Sequence, residues 1–243
     1  MRGNEIMKIK DKVIGKQQLK CVAVTFVIMI IAMIFVYNLA FDVNASAEES
    51  LETAINEYNF TTDVEVSVLD TEKVGKYLYV LYAQDDHPGY GGLALLEKGF
   101  LGKYRFHNCD NFNWQLYNVK SKEINHKNYL LMYCLNDLPN VATYNLYSDF
   151  GRVGDVTYSG DAIQGPFLEI VETPELYQVT SWAIRYYDEN NKEINEDDLV
   201  KLFEVSETGD GASVGTAEKG IIYIYLGIIL LVGLVIIRYF LGL

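Results

Sequence analysis

The chain has 243 residues and a formal net charge of −13, and this charge is distributed unevenly. Residues 1–20 hold six basic and two acidic side chains, a net charge of +4, whereas residues 42–219 hold 13 basic and 31 acidic side chains, a net charge of −18. Binding to nucleic acid requires a surplus of Lys and Arg, so the acidic region argues against that class of partner. The same charge opposes a domain that lies flat on an anionic bilayer and favours solubility.

The first apolar segment, residues 21–41, contains no charged side chain. As a helix it would be about 31 Å long, enough to cross the hydrocarbon core of a bilayer. The basic leader, residues 1–20, precedes it, and Lys and Arg are retained on the cytoplasmic side. The sequence therefore predicts a signal anchor, with the N-terminus in the cytoplasm and the following region outside.

A cleavable signal peptide is the alternative interpretation of this segment. Its parts are a basic region, an apolar region and a small-residue site, and Ala45-Ser46-Ala47 has the A-x-A form. The apolar run is longer than the usual apolar region of about 7–15 residues, which favours the uncleaved anchor. Both interpretations place the central region outside the membrane.

Residues 220–243 form a second apolar run, which contains a single charged residue, Arg238. Apolarity on all sides over this length is typical of a transmembrane helix rather than of a buried helix in a soluble domain. The side chain of Arg238 would extend to the cytoplasmic headgroups. We therefore predict a two-pass protein of the cell membrane that contacts the bilayer through residues 21–41 and 220–243 and has both termini in the cytoplasm.

Between the two runs, residues 42–205 are predicted to fold as an extracytoplasmic α+β domain. An amphipathic helix comes first, with its apolar stripe at Leu51, Ala54, Ile55 and Tyr58. The predicted strands follow at 63–69, 76–83, 92–97, 102–108, 113–119, 128–135, 141–147, 166–172 and 178–187. Two of them, 76–83 and 128–135, are apolar on both faces, which is typical of strands covered on both sides. The order indicates an N-terminal helix packed on antiparallel sheets.

Three further features concern the organisation of this region. Residues 148–155, SDFGRVGD, are a candidate break between two subdomains. A short helix is predicted at 196–203, capped by Asn195. Residues 206–219 contain three Gly and no large apolar side chain beyond Val214, so they are predicted to form a flexible stalk.

The clearest candidate for a functional loop is Asp85-Asp86-His87, which precedes Pro88-Gly89. Two carboxylates and an imidazole could bind a metal ion or act in acid–base catalysis. However, the spacing matches no metal-binding motif, and Pro and Gly are the residues of a chain reversal. We therefore expect a hairpin loop and predict no catalytic, metal-binding or cofactor-binding residue.

Cys109 and Cys134 are the only cysteines outside the apolar runs, and a disulfide between them is one alternative. If the predicted strands around them form a simple meander, the two residues lie nearly 10 Å apart, which favours two buried thiols. With His107 and His126 they could also make a zinc site, but the spacing contains no C-x-x-C pair.

The sequence lacks the P-loop, the G-x-G-x-x-G motif and the G-x-S-x-G motif. Tyrosine is abundant in the predicted strands, where it is favoured both by sheets and by contact surfaces. We expect a non-enzymatic, membrane-anchored binding or accessory protein without a cofactor, whose partner is a protein or peptide at the cell surface. A cell-surface enzyme of the hydrolase type, with a site that has no recognised motif, and a structural or assembly subunit of a membrane complex are the alternatives. The abundance of Asn, Lys, Ile and Tyr indicates an AT-rich, bacterial genome.

Overall fold

The computed structural model describes residues 15–58, 65–85, 90–112, 116–147, 158–174, 183–200, 212–213 and 216–242. The helices are α1 (Lys16–Ala40), α2 (Glu48–Tyr58), α3 (Glu196–Val200) and α4 (Thr216–Leu241). The strands are β1 (Val66–Val74), β2 (Tyr77–Gln84), β3 (Gly91–Lys98), β4 (Tyr104–Phe112), β5 (Asn118–Ile124), β6 (Lys127–Cys134), β7 (Thr143–Tyr147), β8 (Tyr158–Asp161), β9 (Phe167–Thr173), β10 (Ala183–Tyr187), β11 (Glu193–Ile194) and β12 (Ala212–Ser213). The chain divides into two compact units, Phe41–Gly215 and a unit of Met1–Ala40 with Thr216–Leu243.

The unit of α1 and α4 contains the two apolar runs. Both helices are long and apolar enough to cross a membrane, over Lys16–Ala40 and Gly220–Leu241. Helix α1 begins earlier than the predicted segment because the helical backbone continues into the polar leader. The two helices pack on each other, and Met29 lies in the notch left by the missing side chain of Gly233. Most of the other apolar side chains point outward; Phe35, for example, is 64% exposed.

The second unit begins with α2 on sheet A, an antiparallel sheet with the strand order β1-β2-β3-β4-β12. Leu51 and Ile55 occupy successive turns of α2, so both point to the same side, and both are buried against the sheet. Val80 and Leu96 are among the strand residues that complete this first core. The predicted N-terminal helix on an antiparallel sheet is confirmed.

Sheet B, with the order β5-β6-β9, covers the other face of sheet A. Leu81 and Leu95 of sheet A meet Leu131 and Leu168 of sheet B in a second core. Alternate side chains of a strand point to opposite faces, so the apolar run of β2 supplies both cores at once. The prediction that this strand is covered on both sides is confirmed.

Sheet C, with the order β11-β10-β7-β8, packs on the remaining face of sheet B. Leu130 and Met132 of β6 meet Tyr144, Leu146 and Tyr186 of sheet C in the third core. Strand β6 is therefore also covered on both sides, as its sequence predicts. The second unit is a stack in which α2, sheet A, sheet B and sheet C follow one another.

Several predicted boundaries differ from the structure. Strand β1 continues to Val74 because its second half, although polar, pairs with residues 77–81 of β2. Strand β5 begins at Asn118, within the predicted strand 113–119, and extends through two lysines to Ile124. Strands β8, β11 and β12 have no counterpart in the prediction. The candidate break at 148–155 lies outside the described residues.

The predicted stalk, residues 206–219, contains ordered structure at two places. Ala212 and Ser213 pair with Cys109 and Asn108 at the edge of β4, whose backbone groups have no other strand beside them at that point in the described chain. Thr216–Lys219 belong to the first turn of α4. The part of the stalk that remains, 206–211 with 214–215, falls outside the described residues.

Candidate functional site

The loop that the sequence singled out is described only at its start. Asp85 follows β2 and accepts a hydrogen bond from the Ser67 hydroxyl at 2.7 Å, while its amide donates to the carbonyl of Glu65 at 2.8 Å. These contacts join the loop to the start of β1 and give Asp85 a structural role. Asp86 and His87 lie outside the described residues, so the expected hairpin loop stays a prediction.

The two cysteines lie in different cores, and neither forms a disulfide. Cys109 faces the core beneath α2, with its sulfur 3.1 Å from the Tyr82 hydroxyl. Cys134 faces the core between sheets B and C, where burial raises the pKa of its thiol to about 11. The simple meander that the sequence allowed is replaced by a crossing from sheet A to sheet B between β4 and β5, so the structure supports two buried thiols rather than the bridge.

The histidines do not join these cysteines. His107 is on β4, and its ring meets Tyr77 edge-on at 5.8 Å, while His126 lies in the exposed turn after β5, 3.5 Å from Glu123. Within the described residues, no group of three His, Cys, Asp or Glu side chains could hold a metal ion. The zinc alternative therefore has no support in that part of the chain.

A groove of ≈ 340 Å³ runs beside α2. Its lining consists of Asp42, Val43, Ala47, Glu49, Ser50, Thr53, Ala54 and Glu57. The only ionisable groups in this lining are carboxylates, and the hydroxyl of Ser50 accepts a hydrogen bond from the amide of Asn44 at 3.0 Å. None of these lining residues is a His or a Lys, and the hydroxyl of Ser50 is engaged by the backbone at the start of α2.

The outward face of sheet C concentrates polar and aromatic side chains. We call this set the sheet C face: Thr143, Asn145, Tyr147, Ser159, Asp161, Ala183, Arg185, Tyr187 and Glu193. The alternation along the strands turns Tyr144, Leu146 and Tyr186 into the core, so the residues between them point the other way. The register aligns Asn145 with both Arg185 and Ser159, which makes one continuous row across three strands.

Contacts within the sheet C face hold its side chains in place. The guanidinium of Arg185 lies 5.3 Å from the centroid of the Tyr147 ring and 3.5 Å from a carboxylate oxygen of Glu193. The hydroxyl of Ser159 donates to the side-chain oxygen of Asn145 at 2.7 Å. Burial and a hydrogen bond with Tyr147 raise the pKa of Tyr187.

The sheet C face was only partly visible in the sequence. Tyr147 and Tyr187 belong to the tyrosines of the predicted strands, but the outward direction of their rings follows only from the pairing of β7 with β10. Asn145, Ser159 and Arg185 carried no signal of their own. The Tyr144–Leu146 alternation in β7 was the one pattern that could have identified the opposite face.

Comparisons of this chain with protein-family models, with curated proteins and with solved structures find no match.

Proposed function

We propose that the chain is a membrane-anchored binding protein whose extracytoplasmic domain presents the sheet C face to a protein or peptide partner. Helices α1 and α4 hold the domain at the cell membrane, with both termini in the cytoplasm. The basic leader before α1 and Arg238 near the end of α4 support this orientation, because Lys and Arg remain on the cytoplasmic side.

The composition and order of the sheet C face carry this proposal. Tyr and Arg are the residues that most often dominate binding energy at protein interfaces, because each combines a large contact area with hydrogen-bonding groups. Tyr147, Arg185 and Tyr187 lie together in this face and are joined by stacking and hydrogen bonds. Side chains held in this way lose less conformational freedom when a partner binds.

The edge of sheet C adds a second means of contact. Strand β8 is the last strand of the sheet in the described chain, so one side of its backbone has no neighbouring strand there. Ser159 and Asp161 on this strand are exposed. An extended peptide segment could pair with such an edge while its side chains reach Tyr147 and Asn145, which favours a protein partner over a small molecule.

Site-directed photo-crosslinking in the native cell tests the proposal. A photoreactive amino acid at Ser159 or Tyr187 of the full chain should give a discrete crosslinked species. The matched control carries the same group at Thr53, which is exposed beside the groove on the far side of the layer stack. Arg185→Glu should reduce the Ser159 crosslink roughly 10-fold or more, as for a central interface residue. Crosslinks from Thr53 alone would refute the sheet C face and favour the groove.

A further inference from the structure

Three hairpin turns gather at one end of the second unit. The β1–β2 and β3–β4 turns are neighbours in sheet A, because the amide of Lys98 donates to the carbonyl of Lys76 at 2.7 Å. The β5–β6 turn of sheet B lies against them: a Cβ on Gly75 would fall 2.6 Å from the side-chain nitrogen of Asn125. We call this the hairpin end.

Among the described residues of the second unit, the β3–β4 turn carries the two most exposed large apolar side chains. Phe100 is 77% exposed and Leu101 is 49% exposed, and the exposed lysines Lys98 and Lys103 flank them. The turn is held by hydrogen bonds from the amide of Gly99 to the carbonyl of Lys103 at 2.7 Å and from the amide of Gly102 to the carbonyl of Gly99 at 3.1 Å. Gly102 has φ 86, a conformation that glycine adopts without strain. The two apolar side chains are therefore held outward by a defined turn.

The hairpin end is positively charged, although its domain is strongly acidic. The segments 72–76 and 97–105, which form two of its three turns, contain five of the 13 basic residues and two of the 31 acidic residues of the region 42–219, a local charge of +3. One of the two acids, Glu97, is 9% exposed and lies between Lys76 at 2.6 Å and Arg105 at 2.6 Å. The exposed charge of this end is consequently supplied mainly by lysine.

The two segments that connect the second unit to α1 and α4 both pair with β4. Val43, three residues after the end of α1, exchanges backbone hydrogen bonds with Tyr104 at 3.1 and 2.9 Å. Ser213, three residues before α4, pairs with Asn108. A three-residue connection reaches at most about 11 Å, so the covalent chain keeps residue 43 within that distance of the end of α1 in any arrangement of the two units. Tyr104 is also the first residue of β4, three residues after Leu101.

We propose that the hairpin end docks on the anionic surface of the same bilayer that holds the two helices, with Phe100 and Leu101 inserted among the headgroups. Apolar side chains flanked by lysines suit this layer, because the rings and aliphatic groups enter it while the ammonium groups pair with lipid phosphates. The acidic remainder of the domain is repelled by that surface, which favours an approach by the hairpin end. This inference depends on the membrane anchorage in the proposed function.

Fluorescence quenching by lipid in the full chain tests the docking. Phe100→Trp, or Leu101→Trp as a second variant, is reconstituted in nanodiscs of phosphatidylglycerol whose acyl chains carry bromine. The fraction of tryptophan fluorescence that is quenched should be well above that of the parent chain, which contains only Trp114 and Trp182. The matched control is Ile163→Trp, at an apolar side chain of the second unit that is 37% exposed and outside the hairpin end. It should be quenched no more than the parent chain.

Charge variants test the electrostatic part of the proposal. Lys98→Glu combined with Lys103→Glu should lower the ratio of docked to undocked domain roughly 10-fold or more, because each lysine near an anionic surface contributes to attachment. Lys192→Glu, at an exposed lysine outside the hairpin end, should leave the quenching unchanged. High salt should weaken the docking of the parent tip.

The outcomes separate docking from anchorage. If the protein co-elutes with the discs and tryptophan at position 100 or 101 stays unquenched, docking is refuted while anchorage stands. Equal quenching in phosphatidylcholine discs would refute anionic lipid as the surface that is recognised. If the chain fails to co-elute with the discs, the anchorage itself is refuted, and the docking proposal with it.

Discussion

Glu97 links two parts of the hairpin end, because its carboxylate pairs with both Lys76 and Arg105. Burial alone would raise its pKa, but the hydrogen bonds from Lys76 and Arg105 outweigh burial and lower the pKa below its usual value. We expect Glu97→Ala to reduce the free energy of unfolding by about 2–3 kcal/mol, because it leaves the largely buried Arg105 without its carboxylate. This expected loss of stability is smaller than for a fully buried ion pair, because the side chain of Lys76 is 51% exposed. Thermal unfolding in detergent, followed by near-ultraviolet circular dichroism, measures it.

The stability that Glu97 contributes can be checked with a control variant and by its dependence on pH. Glu172→Ala breaks an exposed pair with Lys127 and should cause no measurable change in stability. Because the pKa of Glu97 is lower in the folded state, its contribution is present above the pKa of the unfolded chain and is lost as the pH falls through the folded pKa. An equal effect of Glu97→Ala at neutral and strongly acidic pH would contradict this account.

Glu169, on β9, is expected to behave in the opposite way. Burial raises its pKa, and a hydrogen bond with Tyr158 only partly offsets the increase. The folded state therefore favours the protonated carboxyl, so the stability it confers is present below the unfolded pKa and is lost as the pH rises through the folded pKa. Glu169→Gln should raise the free energy of unfolding at neutral pH by up to about 1 kcal/mol and change little in acid.

The measurement for Glu169→Gln is urea unfolding at two pH values, one neutral and one acidic. Glu172→Gln is the matched control, because it changes an exposed position of the same strand. If Glu169→Gln destabilises the protein at neutral pH, the carboxylate form must be the one that the core accommodates.

At the scale of elements, the sequence predicted best the strands whose continuous apolar side chains require other layers to cover them. Strands β2 and β6 were predicted because continuous apolar runs need cover on both faces. Strand β8, Tyr158–Asp161, was missed because its sequence, YSGD, has no apolar alternation. Its position depends on Gly160, where a Cβ would collide with the ring of Tyr144. That contact joins distant segments and leaves no local signal in the sequence.

The candidate site was less predictable than the fold for the same reason. The sheet C face consists of residues that become neighbours only when β7, β8 and β10 pair. The hairpin end gathers turns from two sheets, so its local positive charge is concealed in a region whose total charge is −18. For Cys109 and Cys134 the sequence favoured two buried thiols over a bridge, and the layer stack places the two residues in different cores.

The packing of α1 on α4 gives a prediction for the two helices. A Cβ placed on Gly233 would lie 3.6 Å from the Cβ of Met29, within the separation that a disulfide requires. The double variant Met29→Cys with Gly233→Cys, in a Cys21→Ser background, should form a disulfide on mild oxidation in membranes. Proteolysis of the central domain would then leave the two helices linked until reductant is added.

A matched control tests whether such linkage reflects this contact. Met29→Cys with Val235→Cys uses a residue of α4 that is 67% exposed, two positions beyond Gly233. It should crosslink far less, because residues two apart on a helix point in different directions. Equal crosslinking by both pairs would mean that α1 and α4 have no fixed contact at Gly233.

At the scale of the whole molecule, three regions differ in charge, and each charge favours a different environment. The leader, with net charge +4, favours the cytoplasm, the hairpin end suits an anionic surface, and the acidic remainder keeps the domain from that surface. If the hairpin end docks, the domain is held at its β4 side. The sheet C face is separated from sheet A by sheet B, so it is kept apart from the face that carries the membrane connections.

The orientation of the chain in the membrane can be measured by its sensitivity to protease. Protease added to intact spheroplasts should remove the central domain and leave an epitope at the N-terminus protected, because the basic leader stays inside. Replacing Lys8, Lys10, Lys12, Lys16 and Lys20 by Gln should expose that epitope in a measurable fraction of molecules, whereas Arg238→Gln, which removes one charge at the other terminus, should have a much smaller effect. Complete protection of the central domain in the parent chain would place it in the cytoplasm. The sheet C face could then meet only cytoplasmic partners, and the hairpin end only the inner leaflet.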